Sequence, residues 1–147
     1  MGFFDFVKDA GRKLLGKGDD NDAVKSEISE HNQTMPIDNL DVVVNGDTVI
    51  LKGTAMTTAD KAKAALIAGN IAGISKVDAS GLDVRDDDAI EDLFYEIQKG
   101  DTLWRVSEIY YKNGARYTEI FEANREVIKD ADKIYPGQMI RIPNFTA

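Results

Sequence analysis

Apolar positions along the 147-residue chain change period several times. Phe3, Val7, Ala10 and Leu14 recur at three- and four-residue spacing, with Phe4, Gly11 and Leu15 beside them. This pattern predicts a short amphipathic helix that straps onto a neighbouring domain. Gly16 and Gly18 end it, and Asp19 to Asp22 is a polar run whose last member can cap a second helix over 23–34, with Val24 and Ile28 on its buried side. Leu40 to Val44 reads as a strand. Asn45-Gly46 is a hairpin signal, Thr48 to Lys52 the returning strand, and Gly53 its close. Thr57 or Thr58 caps a long helix from Ala59 to about Ala68, rich in Ala, Leu and Lys. It runs out through Gly69-Asn70-Ile71-Ala72-Gly73-Ile74 into a strand over Lys76 to Val84. In the last third, two short strand-like segments bracket two short helices. The turn Lys99-Gly100-Asp101-Thr102 offers Asp101 or Thr102 as cap for a helix beginning at Leu103, and Tyr135-Pro136-Gly137-Gln138 has the chemistry of a second turn. The expectation is an α+β chain of two small domains. An N-terminal helix (1–18) packs on an αββαβ domain (22–85), and a linker (86–92) leads to a βααβ domain (93–145).

Composition narrows the function. Hydrophobic residues make up 43%, enough for real cores, and the formal net charge is −8 with a pI near 4.6. Both halves are acidic, which argues against nucleic acid and against a polybasic membrane patch. The absence of cysteine excludes thiol chemistry and disulfides, and a single histidine, His31, cannot carry a zinc site or a catalytic triad unaided. His31 reads as a favourable charge at a helix end. No segment is long enough to span a membrane. Asp5 and Asp9 break the apolar N-terminal run and no basic region precedes it, so a cytoplasmic protein is expected. The runs Asp19–Asp22 and Asp86–Asp88 lack the glycine and spacing of a calcium loop and read as solvated linkers. Neither domain is large enough to enclose the sugar cleft of a glycosidase, and no enzyme activity is expected.

The stretch from Tyr95 to Pro143 contains Y-E-I-Q-K-G-D-T-L-W-R-V-S, I-F-E-A-N and I-Y-P-G-Q-M-I-R-I-P. It resembles a LysM domain, a βααβ module best known for binding N-acetylglucosamine-containing glycans. The resemblance puts a glycan groove at Gly100, Asp101, Thr102, Leu103, Ile134, Tyr135 and Pro136, with Trp104, Ile120 and Phe121 in the core. Residues 22–85, through V-V-V-N-G-D-T-V-I-L-K-G-T and I-A-G-I-S-K-V-D, resemble a BON domain, described as a binding module for lipid or hydrophobic partners in the envelope.

The combination, with F-x-F-V-K-D-A-G in front, resembles the small cytoplasmic potassium-binding proteins of bacteria. That resemblance implies selective, reversible K⁺ binding, with compaction of the two domains when the ion is bound. A K⁺-sized cation is best held by neutral carbonyl oxygens, and helix C-termini leave carbonyls unpaired at the negative end of the dipole. Resemblance and helix ends together imply backbone ligands at Val7, Ala10, Arg12, Gly69, Ile71 and Ile74. Taken alone, Gly69 and Gly73 read as an ordinary helix C-cap and turn, and it is the whole-chain resemblance that favours the ion site over that reading. The expected protein is a monomer acting as K⁺ buffer or sensor, with no stable membrane insertion. Two alternatives stand beside it. One is an envelope LysM adaptor on peptidoglycan, whose BON domain touches lipid. The other is a stress-response structural protein without a ligand.

Overall fold

The hairpin forms where Asn45-Gly46 announced it, one residue later than expected. Strand β2 (Ile37–Asn45) and strand β3 (Thr48–Thr57) pair antiparallel with Asn45 opposite Thr48, so the turn is Gly46-Asp47. Gly46 has φ +63°, the positive value that a two-residue hairpin places at its first central position. A computed structural model of the chain describes residues 3–8, 11, 13, 15–16, 18–31, 36–86 and 93–143. The expected linker 86–92 lies almost wholly outside them. Both hairpin strands outrun the prediction. Gly53 does not close the hairpin but sits within β3, opposite an irregularity between Asp38 and Asp41. A Cβ at Gly53 would lie 2.8 Å from the Asp38 carbonyl oxygen, so glycine lets the two backbones approach.

Helix α1 (Asp20–Ser29) precedes the hairpin. Asp19, not Asp22, caps it by accepting from the N–H groups of Asn21 and Asp22, and Val24 and Ile28 are buried as expected. Helix α2 (Thr58–Gly69) follows the hairpin, with the Thr57 hydroxyl accepting from the Asp60 N–H at 3.1 Å. It crosses over to strand β4 (Lys76–Asp86), which lies parallel to β3. Val49, Leu51 and Ala55 of β3 point into the core at 0% exposure. Helix α2 is buried continuously from Ala64 to Gly69, because the sheet and α1 take one side and the second domain takes another.

Among the described residues the expected N-terminal helix is not formed. Phe3–Asp5 is strand β1, antiparallel to β4 with Phe3 opposite Asp78, and the sheet order is β1-β4-β3-β2. A helix this short is marginal in water, whereas the open edge of β4 offers unpaired backbone groups that an aromatic-rich segment can satisfy at once. Phe6 then packs into the core, and Gly11 has φ +99°, outside the helical region.

The second domain pairs strand β5 (Leu93–Glu96) with strand β6 (Met139–Ile142), Leu93 opposite Ile142. Between them lie helix α3 (Leu103–Tyr111), capped by the Thr102 hydroxyl on the Arg105 N–H, and helix α4 (Tyr117–Ala123). Ile97, Leu103, Val106, Ile120, Ile128, Ile140 and Ile142 form its core. Ile120 is buried as expected and Phe121 is half-buried. Trp104 is 51% exposed and is not a core residue. Leu103 and Val106 turn inward, and a residue one step along the helix from Leu103 is rotated away from that face. Its indole lies over Gly114 instead, where a Cβ would approach to 2.3 Å.

The outer edge of β6 is closed by asparagine. Asn124, the C-cap of α4, is 1% exposed; its Nδ2 donates to the Arg141 carbonyl at 2.8 Å and its Oδ1 accepts from the Arg141 N–H at 2.9 Å. The same Nδ2 reaches the Ile120 carbonyl at 2.7 Å. Replacing Asn124 by Ala strands these buried groups, each at a cost of about 1–3 kcal/mol. The expected loss in urea unfolding is about 3 kcal/mol; a loss below about 1 kcal/mol would mean that water substitutes for the carboxamide.

Candidate functional site

The chain leaving α2 turns through Asn70 to Ser75 beneath the N-terminal segment. Asn70 caps the helix with φ −85° and ψ 25°, its N–H donating to the Leu66 carbonyl at 3.0 Å. The Ile74 N–H donates to the Ile71 carbonyl at 3.1 Å, and Gly73 takes φ +99°. Ser75 anchors the exit. Its N–H donates to the Asp47 carbonyl at 2.8 Å and its hydroxyl to Asp47 Oδ2 at 2.6 Å. That hydroxyl holds the Asp47 carboxyl below the usual carboxylate range.

Phe6 to Lys8, and Gly11, strap across this loop. The Phe6 N–H donates to the Ser75 carbonyl at 2.9 Å, and the Gly73 N–H donates to the Lys8 carbonyl at 2.6 Å. The Phe6 ring covers Gly69, where a Cβ would come within 2.1 Å of it. Gly11 lies against the Asn70 carbonyl, and a Cβ there would sit 2.1 Å from that oxygen. Backbone therefore meets backbone, with glycine on both sides.

Of the carbonyls expected to bind K⁺, Val7 lies between the two strap residues bonded to the loop, and is 36% exposed. Gly69, the last residue of α2, and Ile71 and Ile74 of the loop are buried. Ala10 and Arg12 fall outside the described residues. Because Phe3–Asp5 is strand, the strap meets the loop without the helical approach that the sequence reading assumed. Among the described residues no group of three or more His, Cys, Asp or Glu is arranged to hold a metal, and no helix is long and apolar enough to cross a membrane.

The expected glycan groove is divided. Gly100 and Thr102 are exposed, and Thr102 is occupied as a helix cap. Asp101 accepts from the Tyr95 hydroxyl and from the Gln98 N–H at 2.8 Å. Leu103, at 2% exposure, belongs to the core, and Ile134 packs against it. Pro136 is exposed. Tyr135 lines a cavity of about 520 Å³ between the domains, with Gly11, Asn70 and Ile71 on one side and Glu126 and Val127 on the other. Burial pushes the Tyr135 phenol upward in pKa.

Among the described residues, Asn70 and Lys63 make polar contacts across the domain boundary. Asn70, 8% exposed, donates through Nδ2 to the Met139 carbonyl at 2.8 Å and accepts at Oδ1 from the Met139 N–H at 2.9 Å. Lys63 Nζ stands 3.9 Å from Glu126 Oε1, both side chains largely buried. Desolvation raises the pKa of nearby Asp60, against the opposing pull of Lys63. Sequence reasoning missed Asn70 and Asn124. The signal for each is an asparagine directly after a helix, in G-N, which reads as a helix exit, and in E-A-N, which enters only as part of the LysM resemblance.

Residues 19–86 match the BON domain family and residues 95–143 the LysM domain family. The chain is 37% identical over 150 residues to the potassium binding protein Kbp of Escherichia coli, covering 97% of this chain and 99% of that protein. It is 34% identical over 113 residues to an uncharacterized protein of Deinococcus radiodurans, covering 71% of this chain and 44% of that one.

Gly11→Ala combines a left-handed φ with a collision against backbone, and it is expected to lower stability by about 2 kcal/mol and to free the strap for proteolysis. Gly16→Ala, at φ +82° with open space around it, isolates the φ cost; equal losses in the two variants would rule out the close approach. Burial, then the hydrogen bond to Asp101, pushes the Tyr95 phenol up to about 12. The stabilisation linked to that shift is full below the ordinary phenol value of 10.0 and falls as pH rises through about 12. The difference between tyrosinate absorbance titrations of the parent and Tyr95→Phe is expected to have its midpoint at about 12; a midpoint at the ordinary 10.0 would contradict it.

Proposed function

Because the chain belongs to the family of the potassium binding protein Kbp, a BON domain joined to a LysM domain, we propose that it binds K⁺ reversibly at the strap and the α2 exit loop. The ligands are backbone carbonyls of Val7, Ala10, Arg12, Gly69, Ile71 and Ile74. The observation that carries this reading is the cradle in which Gly11 meets the Asn70 carbonyl and Gly73 donates to Lys8. At Gly11 a Cβ is excluded by backbone, so a carbonyl oxygen rather than a side chain lines that contact. Neutral carbonyls suit a weakly hydrated monovalent ion, whereas carboxylate-rich sites suit divalent ones.

The protein acts as a cytoplasmic, monomeric K⁺ buffer or sensor rather than as an enzyme. Without the ion, carbonyls aimed at one point repel, and the strap and LysM domain are held loosely. The ion offsets that repulsion and shifts the population toward the closed arrangement by its differential affinity for the two. At a hundredfold excess over its dissociation constant it stabilises the bound form by about 2.7 kcal/mol. Thermal midpoint and radius of gyration, followed in KCl and NaCl at constant ionic strength, test this. A K⁺-specific rise in midpoint with a smaller radius is expected; equal responses to both salts would refute it.

The LysM match keeps a second reading in play, retention on peptidoglycan. The buried Leu103 and the turning of Tyr135 toward the other domain weigh against it. Binding to insoluble peptidoglycan, unaffected by K⁺, would favour it over the ion reading.

A further inference from the structure

We infer that Asn70 is the coupling residue of the ion site, linking occupancy of the strap–loop carbonyls to the position of the LysM domain through the edge of β6. The inference rests on the K⁺ reading above and names how that site acts on the rest of the chain.

Asn70 lies between Gly69 and Ile71, two of the proposed ligands. Its φ and ψ set the angle between the peptide plane that carries the Gly69 carbonyl and the plane that follows. Its own carbonyl rests against Gly11 of the strap. Its side chain faces the other way, into the second domain, and is held by both polar groups of Met139 at 2.8 and 2.9 Å. One residue therefore touches loop, strap and LysM domain. Turning the carbonyls of residues 69 to 71 toward an ion swings the Cα–Cβ direction of Asn70, and the paired hydrogen bonds carry that swing to β6.

The chemistry of the contact suits a reversible link. A carboxamide presents a donor and an acceptor side by side, as a peptide group does, so it caps a strand edge at a single residue. Asn124 makes the same pairing two residues further along the edge, but from within the LysM domain. The two asparagines thus separate the roles. Asn124 completes the domain, and Asn70 attaches it. Water can replace the Asn70 carboxamide at Met139 with little net change when the domains part, because folding exchanges hydrogen bonds rather than creating them.

The experiment uses the full chain with Asn70→Ala, Asn70→Asp and Asn124→Ala. Asn70→Asp keeps the acceptor for the Met139 N–H but cannot donate to its carbonyl, and it serves if the alanine variant fails to fold. Amide shifts of Gly11 and Gly73 report the ion site, and small-angle scattering reports domain closure, both in KCl against NaCl at constant ionic strength. Both Asn70 variants are expected to keep K⁺-specific shifts at Gly11 and Gly73, with the midpoint raised about fivefold or more, and to lose closure. Asn124→Ala is expected to melt earlier yet close at a K⁺ midpoint within about twofold of the parent. If the Asn70 variants close at the parental midpoint, the coupling role is wrong while K⁺ binding stands. If the parent itself shows no K⁺-specific shift at Gly11 or Gly73, the ion reading fails and the coupling role with it.

Discussion

A helix that ends inside a protein must find partners other than water for its last carbonyls. Helix α2 ends this way. The sheet lies on one side of it, the N-terminal strap crosses over its exit loop, and the LysM domain closes from the far side. Much else in the structure answers to that ending. Gly69 leaves room for the Phe6 ring, Gly11 for the Asn70 carbonyl, and Gly73 supplies the φ that lets its N–H reach Lys8. Ser75 and Asp47 then pin the loop to the hairpin turn, so a loop rich in backbone polar groups is held by defined hydrogen bonds.

The two domains keep separate hydrophobic cores, and the contact between them is of a different kind. Val127 touches both cores, and Phe94 and Met139 pack against the first. Among the described residues, the directional contact across the boundary is the Asn70–Met139 pairing, with the Lys63–Glu126 ion pair at 3.9 Å beside it. Boundaries with such polar contacts permit relative domain motion, whereas large apolar ones do not. An ion needs only a modest differential affinity to shift such an equilibrium.

Much of the fold was legible along the chain because its signals are local. The Thr57 and Thr102 caps, the glycine of the hairpin turn and the apolar faces of α1 and α3 act within a few residues of themselves. The N-terminal segment misled because its apolar spacing fits a helix, while the competitor was the open edge of β4, more than seventy residues away in sequence. Trp104 misled for a related reason: an indole fits a core by composition, but its position on α3 turns it outward. In the candidate site, the loop glycines could be named in advance. The asparagines could not, since the same residue after a helix serves equally as a plain stop, and only a strand edge in another part of the chain makes it a partner.

By itself the sequence determined an α+β chain of two unlike domains without cysteine, and pointed to backbone chemistry at the glycines leaving the long helix. The element order and the lack of cysteine follow from periodicity, capping and composition, which short segments carry independently of one another, whereas the pointer to backbone chemistry is what the whole-chain resemblance implies. The tertiary structure decided that the N-terminus is a strand, that Gly11 faces the Asn70 carbonyl, and that Tyr135 turns toward the first domain. Each depends on which backbone groups remain unpaired after the sheets have formed, and that is settled by distant segments meeting in space.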